Sequence, residues 1–220
     1  MRVNKFIASH TNISRRKVDE LINDGRITVN DQLAYKGQKI SSIDKIKIEG
    51  KLLTLIATTA ILLNKPKGYV CSRNGQGSKT VYDLLPKEYR QLKSVGRLDK
   101  DSSGLLLLTN DGNLAYKLTH PSFKKEKKYL VTVSPELTKT NKQNIEAGIM
   151  LEDGISKLNI TTKNKEWLIT MHEGRNRQIR RTFEAIGYTV TKLHRIEFGN
   201  YKLGDLNTSQ YKEIDIELHI

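Results

Sequence analysis

The sequence lacks the residue patterns that several common functional sites need. Its 220 residues include one cysteine, Cys71, which excludes an internal disulfide framework and a cysteine-rich zinc site. The five histidines show no metal-ligand spacing, so we expect no metal. A dinucleotide fingerprint and a phosphate-loop motif are both missing. The stretch RNGQGSK contains glycines without the phosphate-loop spacing, and we interpret it as a flexible loop.

Long hydrophobic runs are missing as well. The longest apolar run covers residues 105–108 and is far too short to span a bilayer. The opening MRVNKFIASH has no apolar stretch of the kind that a signal peptide contains. We therefore expect a cytoplasmic protein that does not enter a membrane.

Acidic residues are the minority among the charged ones. The chain has 38 lysines and arginines against 24 aspartates and glutamates, which gives a net charge of +14 and a pI of about 9.7. Such a charge attracts polyanions, and nucleic acid is the first candidate. An anionic membrane surface fits less well, because no basic helix with a bulky apolar face is evident. A basic protein without a polyanionic partner is the alternative.

Residues 1–48 are interpreted as a small module of two helices followed by strands. Apolar residues at helical spacing predict one helix in VNKFIASH and a second in SRRKVDELINDG. Ser14 is a good N-cap for the second helix, and Gly25 ends it. RITVN and KIKIE alternate as strands do. Residues 49–59 are expected to form a linker.

Positively charged residues lie at the N-terminus of the second predicted helix, where they do not favour its stability. Arg15, Arg16 and Lys17 occupy its first turn, where the helix dipole disfavours positive charge. The arrangement makes sense if phosphates bind there, next to free backbone N–H groups. Arg2, Lys5 and Arg26 would extend this patch. A solvated charged face is the alternative interpretation.

Residues 60–220 are expected to form a larger α+β domain. Strand patterns such as AILLNK, LLLLT, KKYLVTV, WLITM and TVTKLHRIEFG outnumber helical ones such as RQIRRTFEAIG. Many connections are short enough for hairpins. We therefore predict a mixed, mainly antiparallel sheet with flanking helices. A second strand is predicted at YVCS, and a short helix at KTVYDLLP.

One carboxylate, Asp99, stands directly before the most apolar segment, in GRLDKDSSGLLLLTNDG. It is either an ordinary turn residue or a reactive group at the edge of the core. Arg177, Arg180 and Arg181 share helical spacing on a polar face. Arg180 follows the inward-facing Ile179, so we expect it to pair with Asp99 and keep a buried carboxylate ionised. A turn-capping aspartate and a solvated arginine face are the alternative.

Two family resemblances follow from longer motifs. Residues 1–48, through SRRKVDELINDGRITVN, resemble the αL RNA-binding module first described in a small-subunit ribosomal protein. That resemblance implies RNA binding without implying catalysis. The motifs NKPKGYVC, GRLDKDSSGLLLLTNDG, HPSFKKEKKYLV, GIMLEDG and HEGRNRQIRRTFEAIG resemble ribosomal RNA pseudouridine synthases of the RsuA/RluB type, in the same order over nearly the whole chain.

The second resemblance implies roles for particular residues. Asp99 would be the catalytic carboxylate, Tyr129 would line the base, and Arg180 would pair with Asp99. Leu193 would pack the pocket, together with Arg97 and Leu98 of the aspartate motif. Arg177 and Arg181 would contribute to RNA binding.

The implied reaction is the isomerisation of a uridine in RNA to pseudouridine. No atom enters or leaves overall, so no cofactor and no metal are expected. The expected partner of this monomer is ribosomal RNA or a ribosomal assembly intermediate, with the large subunit favoured over the small. The alternatives are a non-catalytic ribosomal RNA-binding or assembly factor and a synthase that acts on transfer RNA. The individual uridine is not evident from the sequence.

Overall fold

The computed structural model describes residues 1–11, 13–41, 43–163 and 166–216. The α-helices in these ranges are α1 (Val3–His10), α2 (Arg15–Asn23), α3 (Gly112–Thr119), α4 (Lys139–Ala147) and α5 (Gln178–Glu184). None of them is long and apolar enough to cross a membrane. Short 3₁₀ helices cover Gly75–Gly77, Val81–Leu84, Lys87–Tyr89 and Pro121–Phe123.

The strands of the described ranges belong to three sheets. They are β1 (Ile27–Val29), β2 (Gln32–Leu33), β3 (Ile46–Ile48), β4 (Lys51–Leu52), β5 (Ala60–Lys65), β6 (Lys93–Val95), β7 (Ser103–Thr109), β8 (Lys127–Ser134), β9 (Ile149–Leu151), β10 (Gly154–Ser156), β11 (Asn159–Lys163), β12 (Glu166–Met171), β13 (Thr189–Phe198), β14 (Tyr201–Lys202) and β15 (Tyr211–Ile214).

Helices α1 and α2 pack with a small antiparallel sheet of order β2-β1-β3-β4. The side chain of Ser14 accepts a hydrogen bond from the backbone N–H of Lys17, which confirms the predicted N-cap. Gly25 follows the helix with a φ of +68°, a conformation that favours glycine. Apolar side chains from both helices and from β1 and β3 form one buried cluster, which stabilises this unit.

The segment that connects the small sheet to strand β5 is shorter than the predicted linker, residues 49–59. Strand β4 lies inside residues 49–59 and pairs with β3, so the small sheet continues into the range predicted as a linker. The backbone N–H of Ile56 donates to the carbonyl oxygen of His10 at 3.1 Å. Lys5 Nζ donates to Asn113 Oδ1 of helix α3 at 2.5 Å. These bonds tie the connecting stretch to α1, and α1 to the larger unit.

The larger unit is built on a nine-stranded sheet with the main order β11-β12-β8-β13-β7-β5-β15. Strand β6 also pairs with β7, and β14 with β13. The β13–β7 pair is parallel, whereas the other pairs of this sheet are antiparallel. The predicted α+β class with a mixed, mainly antiparallel sheet is confirmed.

Both faces of the central strands are buried, which explains the run of leucines in β7. Leu106 and Leu108 enter the cluster that includes Phe183 of α5. Leu105 and Leu107 enter a second cluster with Leu114 and Leu118 of α3. A strand covered on both sides has no solvent-facing positions, so its sequence shows no polar alternation.

Two predicted elements differ in the structure. The stretch YVCS forms no strand, because Val70 makes only an isolated bridge with Thr80. Helix α5 begins at Gln178, and Arg177 before it has a left-handed φ of +46°. Arg177 therefore does not continue the helical face that its spacing from Arg180 and Arg181 suggested.

Candidate active site

A cavity of about 590 Å³ opens where the β6–β7 loop meets strands β8 and β13. Six of the residues singled out from the sequence line it, and five of them are Arg97, Leu98, Asp99, Tyr129 and Leu193. Arg177 lines it as well, from the segment that precedes α5. Residues that lie far apart in the sequence are thus brought to one site, as the resemblance implied.

The loop that carries Asp99 is fixed through its backbone. Lys65, the last residue of β5, is completely buried, and its Nζ donates to the carbonyl oxygens of Pro66 at 3.1 Å, Asp99 at 3.0 Å and Ser102 at 2.7 Å. The Cys71 Sγ lies 3.4 Å from both the N and the O of Leu98. These bonds hold the main chain on both sides of Asp99, so its carboxylate enters the cavity from a rigid support.

The Asp99 carboxylate has few protein partners in the described part of the chain. Its side chain is 34% exposed, and Arg177 Nη1 lies 3.9 Å from its Oδ2. The same guanidinium donates to both carboxylate oxygens of Asp101, at 3.1 and 3.2 Å. Arg177 thus supplies positive charge near Asp99 while Asp101 holds it in place.

The predicted pairing of Arg180 with Asp99 is wrong in this structure. Arg180 Nε lies 3.2 Å from Asp101 Oδ2, and its Nη2 donates to the Asp101 carbonyl oxygen at 3.0 Å. Its Nη1 donates to the carbonyl oxygen of Val190 at 2.8 Å. Arg180 does not line the cavity. It supports the aspartate loop from behind, which makes it a positioning residue.

The charges of this loop affect its acid–base behaviour. Burial raises the pKa of the Asp101 carboxyl, but the hydrogen bonds from Arg177 and the charge of Arg180 outweigh burial, so this pKa lies below its usual value. Burial lowers the pKa of Lys65, while the nearby Cys71, Asp99 and Asp101 raise it in part. The pKa of the Arg180 guanidinium is lowered by burial, with a compensating contribution from Asp101.

The apolar wall of the cavity comes from three residues of the predicted set. Tyr129, Leu98 and Leu193 are each less than one-tenth exposed. Tyr129 lies on β8 directly opposite Arg195 of β13. An aromatic ring and two leucines next to a carboxylate suit a flat, partly apolar ligand such as a nucleobase. Arg97, in contrast, is exposed at the cavity edge.

The structure separates the predicted RNA-binding residues into two groups. Arg2, Arg15 and Arg16 have exposed side chains and no carboxylate partner in the described ranges, although Arg15 Nη2 donates to Asn4 Oδ1 at 3.4 Å. The others are engaged by the protein itself: Lys5 with Asn113, Lys17 with Glu20, Arg26 with Glu49, Arg177 with Asp101, and Arg181 with Asp153.

Asp153 lies in the turn of the β9–β10 hairpin, and Arg181 donates to both of its carboxylate oxygens. Arg181 and the neighbouring Arg175 therefore attach that hairpin to the segment around α5.

Two buried cations were missed from the sequence. Lys65 and Arg195 are 0% and 2% exposed, and their neighbours are Asp99 and Leu105, each more than 30 positions away. The signal for Lys65 was a lysine at the end of a strand that is otherwise almost entirely apolar, in AILLNK. Within the described ranges, no three His, Cys, Asp or Glu side chains are grouped as a metal site would require.

Comparison with known proteins identifies the class of this fold and site. The model of the RNA pseudouridylate synthase family matches residues 59–185, a range that contains Asp99 and Tyr129 and more than half of the chain. The chain belongs to this family, and it is therefore an RNA pseudouridine synthase.

Particular relatives resemble the chain over almost its whole length. A protein of Bacillus subtilis (strain 168), named ribosomal large subunit pseudouridine synthase B, is 39% identical over 97% of this chain and 91% of its own. A protein of the same name from Vibrio cholerae is 34% identical over 98% of this chain and 72% of its own. A crystal structure described as that of a pseudouridylate synthase matches with a TM-score of 0.70 and 31% identity, covering 99% of this chain and 97% of the other.

Proposed function

We propose that this protein converts a specific uridine of large-subunit ribosomal RNA to pseudouridine, with Asp99 as the catalytic carboxylate. The observation that carries the proposal is the cavity in which Asp99, Tyr129, Leu98 and Leu193 meet. This arrangement combines a rigidly supported carboxylate with walls suited to a single base. A base reaches such a cavity only after it leaves the RNA stack.

Each residue has a role that follows from its place. Asp99 acts at the ribose, where the bond between C1′ and N1 breaks. Tyr129 stacks on the uracil and, with Leu98 and Leu193, keeps water from the detached base. Arg177 places a positive charge 3.9 Å from the Asp99 carboxylate. Arg180 and Lys65 act through the loop and keep Asp99 in position.

Two observations support ribosomal RNA as the substrate. The relatives with the names quoted above match the N-terminal module as well as the catalytic part. The exposed arginines at the start of α2 belong to that module, and the whole chain carries a charge of +14. We further propose that the protein acts as a monomer in the cytoplasm.

Carbodiimide mapping of pseudouridine tests the substrate. The purified protein is incubated with transcripts of large-subunit and small-subunit ribosomal RNA, and the modified positions are mapped by primer extension. We expect one strong site in the large-subunit transcript. A site in the small-subunit transcript instead would contradict the proposed substrate. If neither free transcript is modified, ribosomal precursor particles are the next substrate. No modification of those particles would favour a non-catalytic binding factor.

A further inference from the structure

Arg195 is a buried arginine whose hydrogen-bonding capacity is mostly unused. It is 2% exposed and lines the cavity that contains Asp99. Its Nε donates to the carbonyl oxygen of Leu105 at 2.8 Å. Its Nη2 is buried and has no hydrogen-bond partner among the residues that the structure describes. A buried guanidinium nitrogen without a hydrogen-bond partner destabilises the fold. At a cavity wall, such a nitrogen indicates that a bound ligand supplies the hydrogen-bond acceptor.

The surroundings of Arg195 do not neutralise its charge. Lys127 also lines the cavity, and its Nζ donates to the carbonyl oxygens of Lys125 and His172. Both Arg195 and Lys127 lie over the ring of Phe198, at 4.8 and 5.4 Å from its centre. In the described ranges no carboxylate forms an ion pair with either of them. This side of the cavity therefore attracts an electron-rich oxygen.

The backbone fixes where Arg195 lies. It pairs with Tyr129 on one side and with Gly104 on the other. Gly104 has a φ of +103°, and a Cβ there would stand 2.2 Å from the carbonyl oxygen of Arg195. Only glycine allows β7 and β13 to approach so closely. The guanidinium is thus held beside the tyrosine that we assign to the base.

We propose that Arg195 binds a carbonyl oxygen of the target uracil. The proposal rests on the function proposed above and adds the group that recognises the base. A uracil stacked on Tyr129 has its oxygens O2 and O4 in the ring plane, at the edge of the ring. Arginine offers N–H donors in a fixed planar fork, which suits such an oxygen better than a lysine does.

The chemistry of the reaction gives this contact a second use. When the C1′–N1 bond breaks, its electron pair stays on the uracil and is shared with O2 and O4. The base then turns, a bond forms between C5 and C1′, C5 loses its proton, and N1 gains one. Rotation about the N3–C6 axis exchanges N1 with C5 and O2 with O4. A carbonyl oxygen therefore stands at the same place before and after the turn, and Arg195 stabilises the detached base throughout.

Sulfur-substituted substrates test the contact in the wild-type protein. A short RNA that contains the mapped uridine is prepared with uridine, 2-thiouridine or 4-thiouridine at that position, and single-turnover conversion is followed by nucleoside chromatography. Sulfur accepts hydrogen bonds poorly, so we expect at least one substitution to slow conversion about tenfold or more. Equal rates for all three RNAs would overturn the proposal. No conversion of the uridine RNA would instead count against the proposed function.

The variant Arg195→Met completes the test as a double-substitution cycle. If Arg195 binds the oxygen, the variant converts the uridine RNA more slowly than the wild type does. Replacing that oxygen with sulfur then slows conversion by the variant less than about threefold further. If sulfur slows conversion by the variant as much as it slows conversion by the wild type, Arg195 does not bind the substituted oxygen. Should Arg195→Met not fold, Arg195→Lys keeps a charge and is expected to retain part of the sulfur effect.

Arg73→Met is the matched control. Arg73 also donates to backbone carbonyl oxygens and lies over an aromatic ring, that of Tyr82, but it does not line the cavity. We expect the full sulfur effect in this variant. The salt dependence of RNA binding adds a second criterion. If Arg195→Met lowers the slope by about 0.7–0.9 log units, the guanidinium binds phosphate and the proposal fails.

Discussion

Lys65 and Arg180 determine where Asp99 lies, although neither touches its carboxylate. Both donate to backbone carbonyl oxygens of residues 99–102, so they fix the loop rather than the side chain. Buried cations of this kind are costly unless they are paired, and here the loop supplies carbonyl oxygens to both and the Asp101 carboxylate to Arg180. Removing either cation would leave carbonyl oxygens unpaired and free the loop to move.

Arg180→Met is expected to lower the free energy of unfolding by about 2–3 kcal/mol, because several hydrogen bonds from a mostly buried charged group are lost. Activity should fall while RNA affinity is kept. Urea unfolding and single-turnover rates measure the two effects.

Arg181→Met on the same helix is the control. Its ion pair with Asp153 is more exposed, so a smaller loss than in Arg180→Met is expected. An unchanged unfolding midpoint in Arg180→Met would contradict the buried role of Arg180.

Asp101→Asn should change how the protein responds to acid. The pKa of Asp101 in the fold lies below its ordinary value of 3.8, so the ionised carboxylate stabilises the fold at neutral pH. This stabilisation is lost as the pH falls from the ordinary value through the lowered one. The variant should be less stable than wild type at neutral pH, and the difference should shrink as the pH falls below the ordinary value of 3.8. A difference in urea midpoint that stays constant with pH would refute this.

At the scale of the elements, the site depends on the close approach of β7 and β13. Their parallel pairing covers only two residue pairs, one of which joins Arg195 to Gly104. Next to that pair, Arg195 Nε donates a hydrogen bond to the carbonyl oxygen of Leu105 in β7. The β6–β7 loop, which carries Asp99, and strand β8, which carries Tyr129, are thereby held at a fixed distance across β13.

Gly104→Ala is expected to cost about 3 kcal/mol or more, since the new Cβ would clash with backbone atoms in a strained conformation. Urea denaturation measures the loss. Gly112→Ala at the start of α3 is the control, because a Cβ there meets nothing within 4 Å. The control should change the free energy of unfolding only slightly. A loss of under about 1 kcal/mol in Gly104→Ala would mean that the strands can separate without consequence.

Sequence patterns predicted the elements well where local periodicity is decisive. The strands of residues 60–65, 103–109 and 189–198 and the two N-terminal helices were evident from spacing and caps. The YVCS strand was wrong, since only the bridge from Val70 to Thr80 forms there.

Arg180 was chosen as the partner of Asp99 because it follows the inward-facing Ile179, but its guanidinium pairs with Asp101, and Arg177 lies 3.9 Å from Asp99 instead. The contacts of Lys65 and Arg195 are long-range, so periodicity gave no signal for their burial.

At the scale of the whole molecule, the proposed RNA contacts of the N-terminal module lie at the start of α2. Arg15 and Arg16 are exposed at the start of α2, whereas Lys17 and Arg26 are paired with Glu20 and Glu49. Cations at a helix N-terminus that have no carboxylate partner are available to phosphates, and paired cations less so.

Replacing Arg15 and Arg16 together with alanine should weaken RNA binding. The slope of log affinity against log salt should flatten by about 0.7–0.9 for each lost phosphate contact. Filter binding at several salt concentrations measures it, with Lys17→Ala as a control that is expected to have a smaller effect. The variant should be no less stable, because cations leave the positive end of the helix dipole. An unaltered slope would move the RNA contact away from α2.

The most direct test of the account is tritium release from C5-labelled uridine in large-subunit ribosomal RNA, comparing wild type with Asp99→Asn. The account predicts release by the wild type, none by the variant, and equal RNA affinity for both, because Asp99 acts on the ribose and does not hold the RNA. Release by the variant at a rate near that of wild type would contradict the catalytic role of Asp99.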